Sequence, residues 1–171
     1  PNPADTPMPR QKLNGLPNYG SANTDWGIYP EIEEEHIDVK TTNDAISRLN
    51  RLSKNDTPFF LAVGIFRPHM PFFAPASAFE KYPENHVAMP PRDSADMRDI
   101  PAGWPQVKDN KRWLWEGMLN AMEEDPKHYR DAVRAYQASA TFADLQIGRL
   151  IDALESNGQA EKTIIILWSD H

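Results

Sequence analysis

Two apolar runs, FFLAVGIF at residues 59–66 and IIILW at residues 164–168, carry no polar alternation. Unbroken β-branched and aromatic runs of this length are the pattern of strands covered on both faces, so strands are expected over 59–66 and 163–168. A helix is expected before the first, over 41–53. There Ile46, Leu49 and Leu52 recur three apart, with Asp44, Arg48 and Arg51 between them, and Asn55-Asp56-Thr57-Pro58 breaks the pattern. The strongest helical pattern covers 126–157, where Val133, Tyr136, Ala140, Ala143, Ile147, Leu150 and Leu154 alternate at spacings of three and four. Asp125 suits its N-cap, Pro126 its first position and Gly158 its stop. A short helix is expected to start within 75–79 and to end near 81–83. Residues 1–39 read as irregular, with the acidic run at 31–35 a solvated face. Residues 83–110, punctuated by Pro83, Pro90, Pro91, Pro101 and Pro105, read as a long surface excursion. Trp104, Trp113 and Trp115 in or beside it read as packing residues. Helices alternating with apolar strands give an α/β fold class.

Composition narrows the function. The 171 residues have room for a sizeable core, and 40% hydrophobic with 25% charged residues is the balance of a globular protein. A net charge of −7 argues against a nucleic-acid surface. No apolar run approaches the ~20 residues of a membrane span. The absence of cysteine removes disulfides and thiolate sites. The proline-rich opening shows no signal peptide. The chain starts on Pro1 and stops directly behind an apolar run. It is expected to be the middle portion of a larger catalytic domain, residues 1–171 being a piece cut inside a site.

Both predicted strands run into a histidine-bearing polar stretch: Arg67-Pro68-His69-Met70-Pro71-Phe72 after the first, Ser169-Asp170-His171 after the second. If the strands are parallel, His69 and the Asp170-His171 pair share one rim, where open α/β sheets place ligands. Carboxylate oxygen and imidazole nitrogen are both metal ligands. Arg67 would add a permanent cation suited to sulfate or phosphate. Taken singly, His69 reads equally as a loop histidine on a backbone carbonyl, and Arg67 as half of a surface ion pair. His36, His86 and His128 have no partners in sequence and read as structural.

These residues resemble the type I, formylglycine-dependent sulfatases, in the iduronate-2-sulfatase-like branch. The likeness is carried by Pro58-Phe59-Phe60-Leu61-Ala62-Val63-Gly64 followed by Arg67-Pro68-His69-Met70-Pro71-Phe72. Tyr136-Gln137-Ala138-Ser139 and Asp144-Leu145-Gln146-Ile147-Gly148-Arg149-Leu150 extend it, and the chain's last nine residues, ending Ser169-Asp170-His171, match the family's second metal motif. The resemblance implies an alkaline-phosphatase-like fold, a central mixed β-sheet flanked by helices. It implies hydrolysis of a sulfated carbohydrate or other sulfate ester by a formylglycine and a Ca²⁺ ion. Asp170 would be a calcium ligand and His171 its neighbour in the metal site. His69 would be the catalytic histidine beside the leaving oxygen, and Arg67 a substrate-binding cation. The formylglycine motif and the paired aspartates of the metal site do not occur in this sequence, so the isolated stretch is expected to be inactive and to hold only part of a Ca²⁺ site. A periplasmic, secreted or lysosomal location is implied by the resemblance alone. A phosphatase or phosphonate monoester hydrolase of the same superfamily, or a non-catalytic sulfated-glycan-binding remnant, are the competing readings.

Overall fold

A computed structural model describes residues 8–16, 24–55, 57–91, 98 and 123–170. Five elements organise them: strand β1 (Trp26–Ile28), helix α1 (Ile37–Leu52), strand β2 (Phe72–Ala74), the one-turn helix α2 (Ala76–Phe79) and the long helix α3 (Pro126–Ser156). β1 and β2 pair in parallel, Trp26 opposite Phe72, Gly27 opposite Phe73 and Ile28 opposite Ala74. α3 packs across this small sheet and against α1 and α2. The expected α/β class is what the chain adopts.

The sheet is pinned by a buried carboxylate. Asp25 accepts the amides of Leu13 at 2.6 Å, Asn14 at 2.9 Å and Trp26 at 2.8 Å, laying residues 13–14 over β1. Gly27 makes that approach possible: its φ is +150°, and a Cβ there would lie 2.9 Å from the Leu13 Cβ. A strand in this region was not expected, because three residues among Pro, Asn and Gly give no periodic signal.

α1 begins at Ile37 rather than near residue 41. His36 is the reason: its extended backbone and its Nδ1, 3.1 Å from the Asp38 amide, make it the N-cap. α3 starts and stops as expected. Asp125 caps it by accepting the Lys127 amide at 2.8 Å, and Gly158 follows its end with φ +64°. The face it buries differs from the expected one. Ala132, Ala135, Ala138, Ser139, Phe142, Ala143 and Gln146 are covered, while Tyr136 stays 48% exposed. The alanines let α3 lie close on the sheet, and Ser139 Oγ donates to the Phe73 carbonyl at 3.3 Å. The bulkier stripe beside them is left at the margin. α2 falls where expected, and Arg134 ties it to α3, donating to the carbonyl of Tyr82 at 2.6 Å and facing the Phe79 ring at 5.3 Å.

The two apolar runs are not paired as strands among the described residues. Residues 59–66 form no regular element, with Phe59, Leu61, Val63 and Ile65 half-buried, but Phe60 is 93% exposed. Leu61 to Gly64 share a cleft with Thr41, Asp44, Ala45 and Arg48 of α1. Residues 164–168 are exposed throughout, Ile164 at 89% and Trp168 at 83%. A strand exists only where a neighbour takes up its amides and carbonyls, and among the described residues neither run has such a neighbour. The expected excursion from 83 lies outside the described residues at 92–97 and 99–122, and the three tryptophans with it. No helix among the described residues is long and apolar enough to cross a membrane.

Trp26, Val39, Ala74, Ala78, Phe79 and Phe142 form the centre of the core with the α3 alanines. Phe142 is fully buried and its ring meets that of His36 edge-on at 4.5 Å. Phe142→Ala is expected to destabilise the protein by about 3–5 kcal/mol, measured by urea unfolding, since it opens a cavity where α1, α3 and the sheet converge.

Candidate active-site turn

His69 sits on a tight turn between the first apolar run and β2. The prolines at 68 and 71 remove two backbone donors, and the Arg67-Pro68 and Met70-Pro71 peptides are cis. The His69 amide turns back to the Phe66 carbonyl at 3.1 Å. Its imidazole is exposed, with Nδ1 2.6 Å from the Met70 carbonyl oxygen and the ring tilted over Phe66 at 5.1 Å. A nitrogen that close to a carbonyl carries the proton, so the neutral ring presents Nε2 as its basic atom.

Arg67 does not stand at the rim. It is buried, 5% exposed, and its guanidinium faces inward. Nη1 donates to the His69 carbonyl at 2.8 Å and also to the Pro71 carbonyl. The face of the Phe66 ring lies 5.1 Å away and that of Phe73 5.8 Å. One arginine thus satisfies two carbonyls that the proline-rich turn leaves without a sheet partner.

Beneath the turn lies the start of α1. Asp38 accepts the Phe66 amide at 2.8 Å on one oxygen and the Arg67 amide at 3.0 Å on the other. His36 approaches Arg67 Nε with Nε2 at 3.2 Å while its Nδ1 meets the Asp38 amide. A neutral imidazole accepts at one nitrogen only. One of these contacts is therefore a full hydrogen bond and the other a close polar approach.

Burial sets the charges here. It pushes His36 down to about 3, helped by the Arg67 charge, so His36 is neutral and its 4.0 Å approach to Asp38 is not an ion pair. Burial likewise raises the Asp38 carboxyl, against the pull of the two amides and of Arg67. Arg67 is lowered by burial to about 10 and keeps its charge at neutral pH.

Of the other residues predicted from sequence, Asp170 is exposed at the end of the second apolar run, and His171 lies outside the described residues. The parallel strand pair that would put Asp170 beside His69 is not present among the described residues. No three His, Asp or Glu side chains among them gather to hold a metal ion. Calcium takes about six to eight oxygens, so the one carboxylate of Asp170 does not amount to a site for it here. His36 is structural, as read from sequence, yet it has partners that the sequence hid. Asp38 was missed altogether. Its one signal was a carboxylate set between the apolar pair Ile37 and Val39 at a helix start. On the far side of Phe72 an apolar groove of about 500 Å³ opens between α3 and residues 88–90, lined by Phe72, Met89, Tyr129, Val133 and Tyr136.

A family model described as Sulfatase matches residues 4–171. The chain belongs to the sulfatase family. Its fold is accordingly part of the alkaline-phosphatase-like α/β domain expected from the motifs. A sulfatase of Formosa agariphila is 38% identical over 154 residues, which is 90% of this chain and 29% of that protein. Human iduronate 2-sulfatase is 32% identical over 144 residues, 78% of this chain and 25% of that protein. The multifunctional alkaline phosphatase superfamily protein PehA of Trinickia caryophylli is 30% identical over 125 residues, 69% of this chain and 24% of that protein. This sulfatase chain thus spans 24–29% of the length of these curated relatives.

The neutral burial of His36 has a pH signature. The unfolded chain protonates this group near 6.5 and the folded one only near 3. Between these values the unfolded state binds more protons, so the histidine's contribution is complete above about pH 6.5 and falls as pH drops, by roughly 1 kcal/mol per pH unit. Asp38, with its raised value, acts in the opposite sense. The stability difference between the wild type and His36→Gln isolates the histidine. In urea unfolding, that difference is expected to shrink from pH 7 to pH 4, and a constant difference would exclude the neutral burial.

Proposed function

We propose that the protein of which this chain is a part hydrolyses sulfate esters, with His69 acting at the leaving oxygen. The supporting observation is an exposed imidazole on a turn whose carbonyl Arg67 holds at 2.8 Å, in a chain that a sulfatase family model covers almost end to end. Hydrolysis of a sulfate ester builds negative charge on the leaving alkoxide. A histidine with Nδ1 fixed on a carbonyl can hold or deliver a proton at Nε2, which is the donor such a leaving group needs. Arg67 serves this role indirectly, since its guanidinium is spent on the turn's own carbonyls. The substrate is a sulfated sugar or a similar ester, in keeping with a relative named iduronate 2-sulfatase. A periplasmic, secreted or lysosomal location goes with that substrate class.

The nucleophile in this reading is a formylglycine supplied by another part of the protein. Calcium is its cofactor, to which Asp170 gives one oxygen and His171 stands adjacent. The relative named as a multifunctional alkaline phosphatase superfamily protein favours one alternative, phosphate or phosphonate monoester hydrolysis by the same scaffold. Steady-state turnover of matched sulfate and phosphate monoesters by the full-length protein separates the two. Preference for the sulfate supports the reading, and preference for the phosphate transfers His69 to the alternative.

His69→Ala in the full-length protein is expected to lower kcat by about 10²–10⁴-fold, the worth of a general acid, with the melting temperature nearly unchanged because the ring is exposed. An unchanged kcat would remove His69 from the chemistry. Asp170→Asn is expected to raise the calcium concentration needed for half-maximal activity at least tenfold, followed by calcium titration of the chelator-treated protein. His171→Ala is expected to shift it less, since a neutral imidazole is a poor ligand for calcium.

A further inference from the structure

We propose that Asp38 is a positioning residue for His69, its carboxylate fixing the turn that aims the imidazole. The proposal rests on the reading of His69 just given. Asp38 lies in the first turn of α1, where a carboxylate has amides of its own helix within reach. Instead both its oxygens cross to the turn, one to the amide of Phe66 at 2.8 Å and one to that of Arg67 at 3.0 Å. Its side chain is 1% exposed, so water does not compete for either bond.

The two residues it holds both bear on His69. Phe66 supplies the ring against which the imidazole lies at 5.1 Å, and its carbonyl receives the His69 amide. Arg67 supplies the guanidinium that grips the His69 carbonyl at 2.8 Å. The His69 ring meets the Met70 carbonyl through Nδ1 at 2.6 Å, and the turn that carries both is anchored from below, through consecutive amides bound to a single buried carboxylate. Asparagine has the same size but only one accepting oxygen; its amino group would face a backbone donor. The turn would keep one anchor of two and lose its aim. Geometry errors of about an ångström at a reacting group cost up to 100-fold in rate.

A double-mutant cycle in the full-length protein tests this, because a positioning residue acts only through the group it positions. Asp38→Asn alone is expected to lower kcat for a sulfate monoester about tenfold with KM within twofold. In the His69→Ala background the same change is expected to cost less than twofold. Equal losses in both backgrounds would overturn the proposal, since a general structural role acts whether or not His69 is present. Asp38→Glu keeps both oxygens and carries the same cycle should the asparagine variant not fold. A second readout is independent of turnover: in ¹⁵N-histidine spectra the His69 ring signals should move with Asp38→Asn and stay with Asp44→Asn, whose carboxylate is on the surface with Arg48. Unmoved His69 signals in both variants would overturn the positioning role. A wild type that turns over no sulfate ester would overturn the functional reading while the spectra still decide the positioning.

Discussion

A carboxylate without access to water governs the geometry of the turn around His69. Burying the Asp38 carboxyl beneath residues 66–71 carries a desolvation cost that raises it, opposed by two amides and a nearby guanidinium charge. Each of these contributions fixes a different part of the fold. The amides fix where the first apolar run ends, the guanidinium fixes the carbonyls of 69 and 71, and the start of α1 is thereby tied to the turn. Removing one member of such a set leaves the others buried and uncompensated, which costs about 3–5 kcal/mol in comparable sites. The turn is consequently anchored by a polar, buried cluster beneath it, although its sequence, with two prolines around a histidine, gives the impression of a loose surface loop.

What could be read from the sequence followed a physical divide. Helices advertise themselves locally: α3 was bounded correctly by Asp125, Pro126 and Gly158, since caps and stops depend only on neighbours in the chain. Its buried face was not legible. Val133 and Tyr136 are as periodic as Ala132 and Ala135, and which stripe is covered depends on how near the sheet can come. Strands depend on distant partners. Residues 59–66 and 163–168 have the composition of buried strands, yet composition creates no ladder, and β1 and β2 arose instead at Trp26–Ile28 and Phe72–Ala74, where Asp25 and the turn brought two short segments together. The family likeness was legible because it depends on ordered motifs and not on pairing.

The site divided in the same way. His69 could be located from the sequence as an exposed histidine between prolines. The cluster beneath it could not, because Asp38 and Arg67 are 29 residues apart and nothing local links them. Arg67 illustrates the difficulty. In sequence a cation next to a candidate catalytic histidine reads as an anion receptor, but charge alone does not say which way the side chain points. The five donors of a guanidinium serve a carbonyl-rich turn as well as they serve a sulfate.

The protonation states give this inward arrangement a consequence for chemistry. With His36 held near 3 and Arg67 near 10, these two members of the frame keep one charge state through the neutral range. A histidine mounted on a frame that itself titrated near neutrality would shift position whenever the frame changed charge, and a proton donor's geometry would then vary with the pH that sets its occupancy. Desolvation carries His36 well below neutrality, and Arg67, although burial lowers it to about 10, stays charged there. The cluster that is costly to assemble thus holds its histidine neutral and its arginine charged beneath the turn across the neutral range.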